Sequence, residues 1–144
     1  MKKSLLVSAV AAFAVVAALV GVVQAQKDKQ VIYVSSAKAS YAASPTGGVS
    51  MQPLVGEMDK GAHATFTKFA PGYDAGMHTH TNDISIVVVK GAYLYKDEAG
   101  EKRVGPGEYL FVPGGHKHWS GGDKTEGAIF YEQGSGKFDT IPAK

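Results

Sequence analysis

The chain changes texture once, near residue 25. Ser4 to Val23 is almost wholly apolar and uncharged; after it, apolar residues come in short runs separated by glycine, proline and small polar residues. Alternation of apolar and polar positions over four to eight residues marks a strand with one buried face. On this basis strands are expected at Gln30–Val34, His63–Phe69, Ala92–Tyr95, Glu108–Val112, Glu126–Glu132 and Lys137–Ile141. Ile84–Lys90 is continuous and β-branched, which predicts a strand buried on both faces. Ala70-Pro-Gly72, Gly105-Pro-Gly107 and Pro113-Gly-Gly115 read as turns, and Lys96–Lys102 as a hairpin loop. Ser35–Ser50 is rich in Ser, Ala and Gly and is expected to be irregular, covering one end of the domain. No amphipathic helix is expected after residue 25. Many short strands with regular turns predict an all-β sandwich or barrel.

The opening segment reads as an address. Met1-Lys-Lys3, an apolar run and Val23-Gln-Ala25 form a signal peptide with cleavage expected after Ala25; the rival reading is an uncleaved anchor. Either sends the remainder to the periplasm or beyond. Lys2 and Lys3 leave with the signal, so Lys+Arg falls from 15 to 13 against 13 Asp+Glu, and the mature chain is neutral. That balance excludes a nucleic-acid binder that must neutralise many phosphates, and no membrane association is expected after cleavage. The chain has no cysteine, which removes disulfides, thiolate metal ligands and a cysteine nucleophile. Its 18 glycines in 144 residues fit many tight turns.

Four of the five histidines form two His-x-His pairs, His78/His80 and His116/His118. Residues i and i+2 of a strand share a face, so His78 and His80 can converge on one cation, and His118 can supply a third imidazole. Neutral imidazoles suit one divalent transition metal (Fe, Zn, Ni, Cu or Mn), and three protein ligands leave coordination positions open.

The spacing carries a resemblance. Gly72-x5-His78-x-His80, ending at Gly91, resembles the first motif of the cupin superfamily, and Gly107-x5-Pro113-x-Gly115-x2-His118 resembles the second. The tail Gly136-Lys-Phe-Asp139 and the run His78–Asp83 resemble, more loosely, a subgroup of secreted cupin-like proteins of unassigned function. The resemblance implies a single-domain cupin-type double-stranded β-helix, a jelly-roll barrel, at residues 53–144. A signal peptide at 1–25 precedes it, with an N-terminal strand and irregular segment at 26–52 between them. It implies His78, His80 and His118 as metal ligands and pairing of two copies through edge strands as a homodimer. The family's glutamate ligand falls at Ile84, with Ser85 at the alternative spacing, and its motif-two asparagine falls at Gly122. Three readings stay open: a three-histidine centre, replacement of the glutamate by Asn82, Asp83 or His116, or loss of the metal.

Asn82 shares parity with His80; it and His116 are the candidate catalytic groups. Asp83 has the opposite parity and reads as a turn carboxylate, and His63, without a spaced partner, as a structural histidine. Tyr93, Tyr95, Tyr109, Phe111 and Tyr131 alternate along strands, so some line the barrel. The function expected is a metal-dependent enzyme on a small molecule, of oxygenase type. The alternative is a non-catalytic module that binds or senses a small ligand or metal.

Overall fold

The computed structural model describes residues 30–144, so the expected signal peptide lies outside the described residues. The fold is that of residues 34–144. Eleven strands are present: β1 Ala42–Ala43, β2 Val49–Gly56, β3 His63–Phe69, β4 Asp74–Thr79, β5 Ile84–Gly91, β6 Tyr93–Asp97, β7 Gly100–Val104, β8 Tyr109–Val112, β9 His118–Gly122, β10 Ala128–Gly134 and β11 Ile141–Pro142. There is no helix among the described residues.

The strands form two sheets, one in the order β1-β2-β3-β10-β5-β8, the other β11-β4-β9-β6-β7. All pairings are antiparallel. The inner faces meet around Phe69, Ile84, Ile86, Val88, Tyr93, Tyr95, Val104, Val112, Ala128 and Phe130. Phe130 is fully buried and packs edge-on against Phe69 and Tyr93, at ring centroid distances of 4.9 and 5.0 Å. Alternation explains this core: on β3 and β10 every second side chain is buried while its neighbours on the other face are more exposed.

Several expectations need correction. Gln30–Val34 forms no strand, because strand propensity without a partner ladder is insufficient. β5 is not buried on both faces: Ile84, Ile86 and Val88 are buried, Val87 is half-buried and Val89 exposed. Continuous β-branching here serves one inner face and one partly wetted outer face. The Lys96–Lys102 loop is shorter than expected, since Lys96 and Asp97 pair with Glu101 and Gly100. Lys137–Thr140 is irregular, and only Ile141–Pro142 pairs, with β4. β2 straddles the expected start of the barrel at residue 53.

One glycine shows how tightly the ends are closed. Gly91, at φ +69, ends β5, and a Cβ there would sit 2.2 Å from the Gly127 carbonyl oxygen. Both the backbone conformation and the space select glycine.

Candidate metal centre

The site is assembled on β4 and β9. β4 carries an irregularity between Asp74 and Met77, where three residue steps face two on β9. Gly76 takes φ +70 within it. The Asp74 carboxylate holds the irregularity together, accepting from Gly76 N–H at 2.8 Å and from Trp119 Nε1–H at 2.6 Å. Beyond it, His78 lies directly opposite His118 across the ladder. His80 follows just past the end of β4, on the same parity as His78.

The three imidazoles converge. Each offers one ring nitrogen, and these atoms lie within 4.8 Å of one another. Ring centroids are 4.3 Å apart for His78–His118, 4.8 Å for His78–His80 and 5.3 Å for His80–His118. All three rings are buried. Each Nδ1 faces a backbone carbonyl: Gly76 at 2.8 Å for His78, Asp139 at 2.5 Å for His80 and His116 at 3.0 Å for His118. A carbonyl accepts only, so Nδ1 carries the proton in each ring and the Nε2 lone pair is free. His118 Nε2 is buried with no hydrogen-bond partner. A buried lone pair left without a donor is costly, and a cation held among the three rings satisfies it. The donor set therefore fits a transition metal, with the carbonyls fixing tautomer and orientation.

Electrostatics point the same way. Burial holds His118 far below the ordinary imidazole value, at about 4, and burial also lowers His80. Both favour the neutral, ligating form.

The triad opens into a cavity of about 340 Å³ between the two sheets. Its walls are mainly apolar, with Val49, Phe69, Ile84, Ile86, Val112 and Phe138 among them. Ile84, where the family has its glutamate ligand, lines the cavity and is buried. Ser85 points the other way, its Oγ 3.0 Å from the Tyr109 hydroxyl. Gly122 leaves no room for the family's asparagine, since a Cβ there would lie 2.7 Å from the Ala70 carbonyl oxygen.

The other predicted residues are placed elsewhere. His116 turns to the surface, with Nε2 3.1 Å from Asp97 Oδ2, and does not line the cavity. Asn82 donates from Nδ2 to the Lys137 carbonyl at 2.9 Å and packs on Gly136, so it tethers the C-terminal tail. Asp83 accepts from Gly114 N–H at 2.8 Å, fixing the turn before His118. Tyr93 lines the cavity; Tyr95 stacks on His118 at 5.4 Å and donates to Asp97 at 3.0 Å. Tyr109 and Phe111 are exposed, and Tyr131 packs against Phe66 at 6.4 Å, so none of the three belongs to the inner face.

Two further groups shape the site. Asp139 holds His80 through its carbonyl, while its carboxylate accepts from Thr81 N–H at 2.8 Å and Thr81 Oγ1–H at 2.5 Å. Glu132 on β10 is buried and lines the cavity. Its inward position was readable from the parity Ala128, Phe130, Glu132.

The model of the ChrR cupin-like domain matches residues 29–136. The chain belongs to the ChrR cupin-like family. No curated protein matches the sequence. Solved structures share the fold at low identity. One is the polyketide cyclase RemF from Streptomyces resistomycificus, at TM-score 0.65 and 17% identity, with 80% of this chain and 87% of that one covered. Another is a Ralstonia eutropha protein of unknown function with a cupin-like fold, at TM-score 0.64 and 22% identity, covering 80% and 79%. A Bacillus subtilis oxalate decarboxylase matches at TM-score 0.53 and 18% identity, covering 74% of this chain and 30% of that one. This cupin thus has the superfamily barrel, with a three-imidazole group able to hold a metal ion in place of the usual three histidines and glutamate.

Proposed function

We propose that this cupin is a secreted metal-dependent enzyme, periplasmic in a bacterium, that acts on a small molecule as an oxygenase. The observation that carries the reading is the buried, unpartnered Nε2 of His118 beside two imidazoles whose Nδ1–H groups are already engaged. His78, His80 and His118 would hold the metal, which supplies Lewis acidity and, if iron, copper or manganese, a redox couple. The chain's own contribution is to bind and enclose the substrate. The apolar walls exclude water, and a volume of about 340 Å³ limits the substrate to a small molecule. Ser120 and Thr67, both buried and both lining the cavity, offer hydroxyls that orient polar substrate groups. Ile84 supplies no ligand atom where the family has a carboxylate, which favours a substrate that would itself bring an oxygen donor. Two similar folds bear the names polyketide cyclase and oxalate decarboxylase, which supports a small-molecule substrate. The apolar opening segment supports secretion.

Metal analysis of the purified mature chain tests the proposal. One redox-active metal per chain, lost in His78→Ala and in His118→Ala, is the expected result. A metal-free preparation that still binds a small ligand overturns the enzyme reading in favour of a binding module. Metal content unchanged in the double variant overturns the site.

A further inference from the structure

Across the cavity from the imidazoles lies a second chemical group. The triad sits on the β4/β9 sheet; Glu132 sits on β10 in the facing sheet, and both line the same cavity. Among the described residues Glu132 is the only acidic side chain in that lining, and no lysine or arginine accompanies it. Its carboxylate lies outside the group of mutually close ligand atoms formed by the three histidines, so it is not a fourth ligand in this geometry.

Glu132 has one titratable neighbour on the adjacent strand. Glu132 pairs with Thr65 and Gly134 with His63, so Glu132 and His63 are inward-facing diagonal neighbours on β10 and β3. His63 Nε2 is 4.0 Å from Glu132 Oε1, within charge-pair range and beyond direct hydrogen-bond length. His63 Nδ1 faces the Gly61 and Gly136 carbonyls at 3.0 and 3.1 Å, so that nitrogen carries the proton. Nε2 is then a buried lone pair, and it has no hydrogen-bond partner. The space for this ring is made by Gly134, where a Cβ would sit 2.2 Å from His63 Cε1. His63 also lines a separate outer crevice of about 200 Å³ with Glu57 and Asp59. It therefore stands between the cavity carboxyl and the surface.

We propose that Glu132, positioned by His63, is the proton-exchanging group of the cavity and takes a proton from a hydroxyl-bearing ligand bound at the imidazoles. The O–H bond of the ligand breaks, its electron pair stays on the ligand oxygen, and Glu132 Oε gains the proton; no oxidant or reductant is needed. A carboxyl and an imidazole sharing one proton are neutral as a pair, so the pair can be buried more cheaply than a lone carboxylate. His63 Nε2 offers that proton a second position, on a ring that also borders the outer crevice. Other titratable groups in the same lining are Tyr73 just before β4, Tyr93 on β6 and the triad on and just after β4 and on β9; β5 presents only apolar Ile84 and Ile86. Burial raises Glu132 to about 7, which leaves the carboxyl ready to accept a proton near neutral pH. The ligand's position rests on the metal reading above; the acid–base pair does not.

The test has two independent arms on the full mature chain. In metal-free protein, carboxyl carbon NMR should show one glutamate titrating near pH 7, absent in Glu132→Gln and moved in His63→Gln. A Glu132 signal titrating in the ordinary carboxylate range overturns the proposal, and an unmoved midpoint in His63→Gln removes His63 from it. In zinc-loaded protein, calorimetry with acetohydroxamate at pH 8, in buffers of different ionisation enthalpy, counts protons released on binding. Wild type should release about one proton fewer per site than Glu132→Gln. Equal release overturns the proposal. Failure of zinc to bind while Glu132 titrates near pH 7 overturns the metal reading instead.

Discussion

Glu132→Gln reports the burial of this carboxyl as a stability difference with a defined sign. Glutamine keeps the shape and cannot ionise. In the folded chain, burial raises Glu132 from 4.5 to about 7, so the folded state binds this proton more tightly than the unfolded state. The contribution is therefore fully present below pH 4.5, is lost as pH rises to about 7, and is level above that. At about 1.4 kcal/mol per pH unit, the span is worth about 3 kcal/mol. At pH 5 the wild-type carboxyl is mostly neutral and resembles glutamine; at pH 8 it is ionised and buried. Glu132→Gln should then stabilise the metal-free protein by about 2 to 3 kcal/mol more at pH 8 than at pH 5. The lowered values of His80 and His118 tilt stability the opposite way, rising with pH, but they do so in both proteins and cancel in the difference. Urea unfolding of the two proteins at the two pH values measures it. A difference that is the same at both, within about 0.5 kcal/mol, refutes the burial argument.

Three further outcomes follow from the geometry. Asp139→Ala removes the carboxylate that clamps Thr81 and loosens the carbonyl holding His80, so metal affinity should fall by about 10- to 100-fold in a chelator competition, and His118→Ala should lower it further. Gly91→Ala combines φ +69 with a Cβ 2.2 Å from a backbone oxygen, and should cost about 3 kcal/mol or more in urea unfolding. His116→Gln breaks a surface contact to Asp97 outside the cavity lining, so metal stoichiometry by elemental analysis should be unchanged.

What was legible in the sequence follows from what alternation encodes. His63–Phe69 was expected with the bounds it has, because its inward residues alternate with Phe66 and Lys68. β2 is hidden in the sequence because Pro53 interrupts it; the strand accommodates proline at a register shift between Pro53 and Val55. β1, β7 and β11 lie at sheet edges or are very short, where side-chain pattern is weakly constrained. The convergence of His78, His80 and His118 was readable, two by strand parity and the third through the family motif. The carbonyl of Asp139 was not, since no side chain announces a backbone acceptor that irregular chain brings back to His80.

The position of acid in this barrel is legible from strand parity but not from the family motif, and it is the most consequential feature. The family pattern directs attention to Ile84, where a carboxylate is missing. The structure places a carboxylate two strand positions away in the ladder: Ile84 pairs with Gly134, Ile86 with Glu132, and both isoleucines face inward. Acid is thus present in the cavity but set outside the close group of imidazole nitrogens. A glutamate on the metal would be locked as an anion by the cation's charge. A glutamate outside that close group, raised to about 7 by burial, is free to change its protonation state near neutral pH. Moving the carboxyl from β5 to β10 therefore exchanges a ligand position for the acid–base role proposed for Glu132.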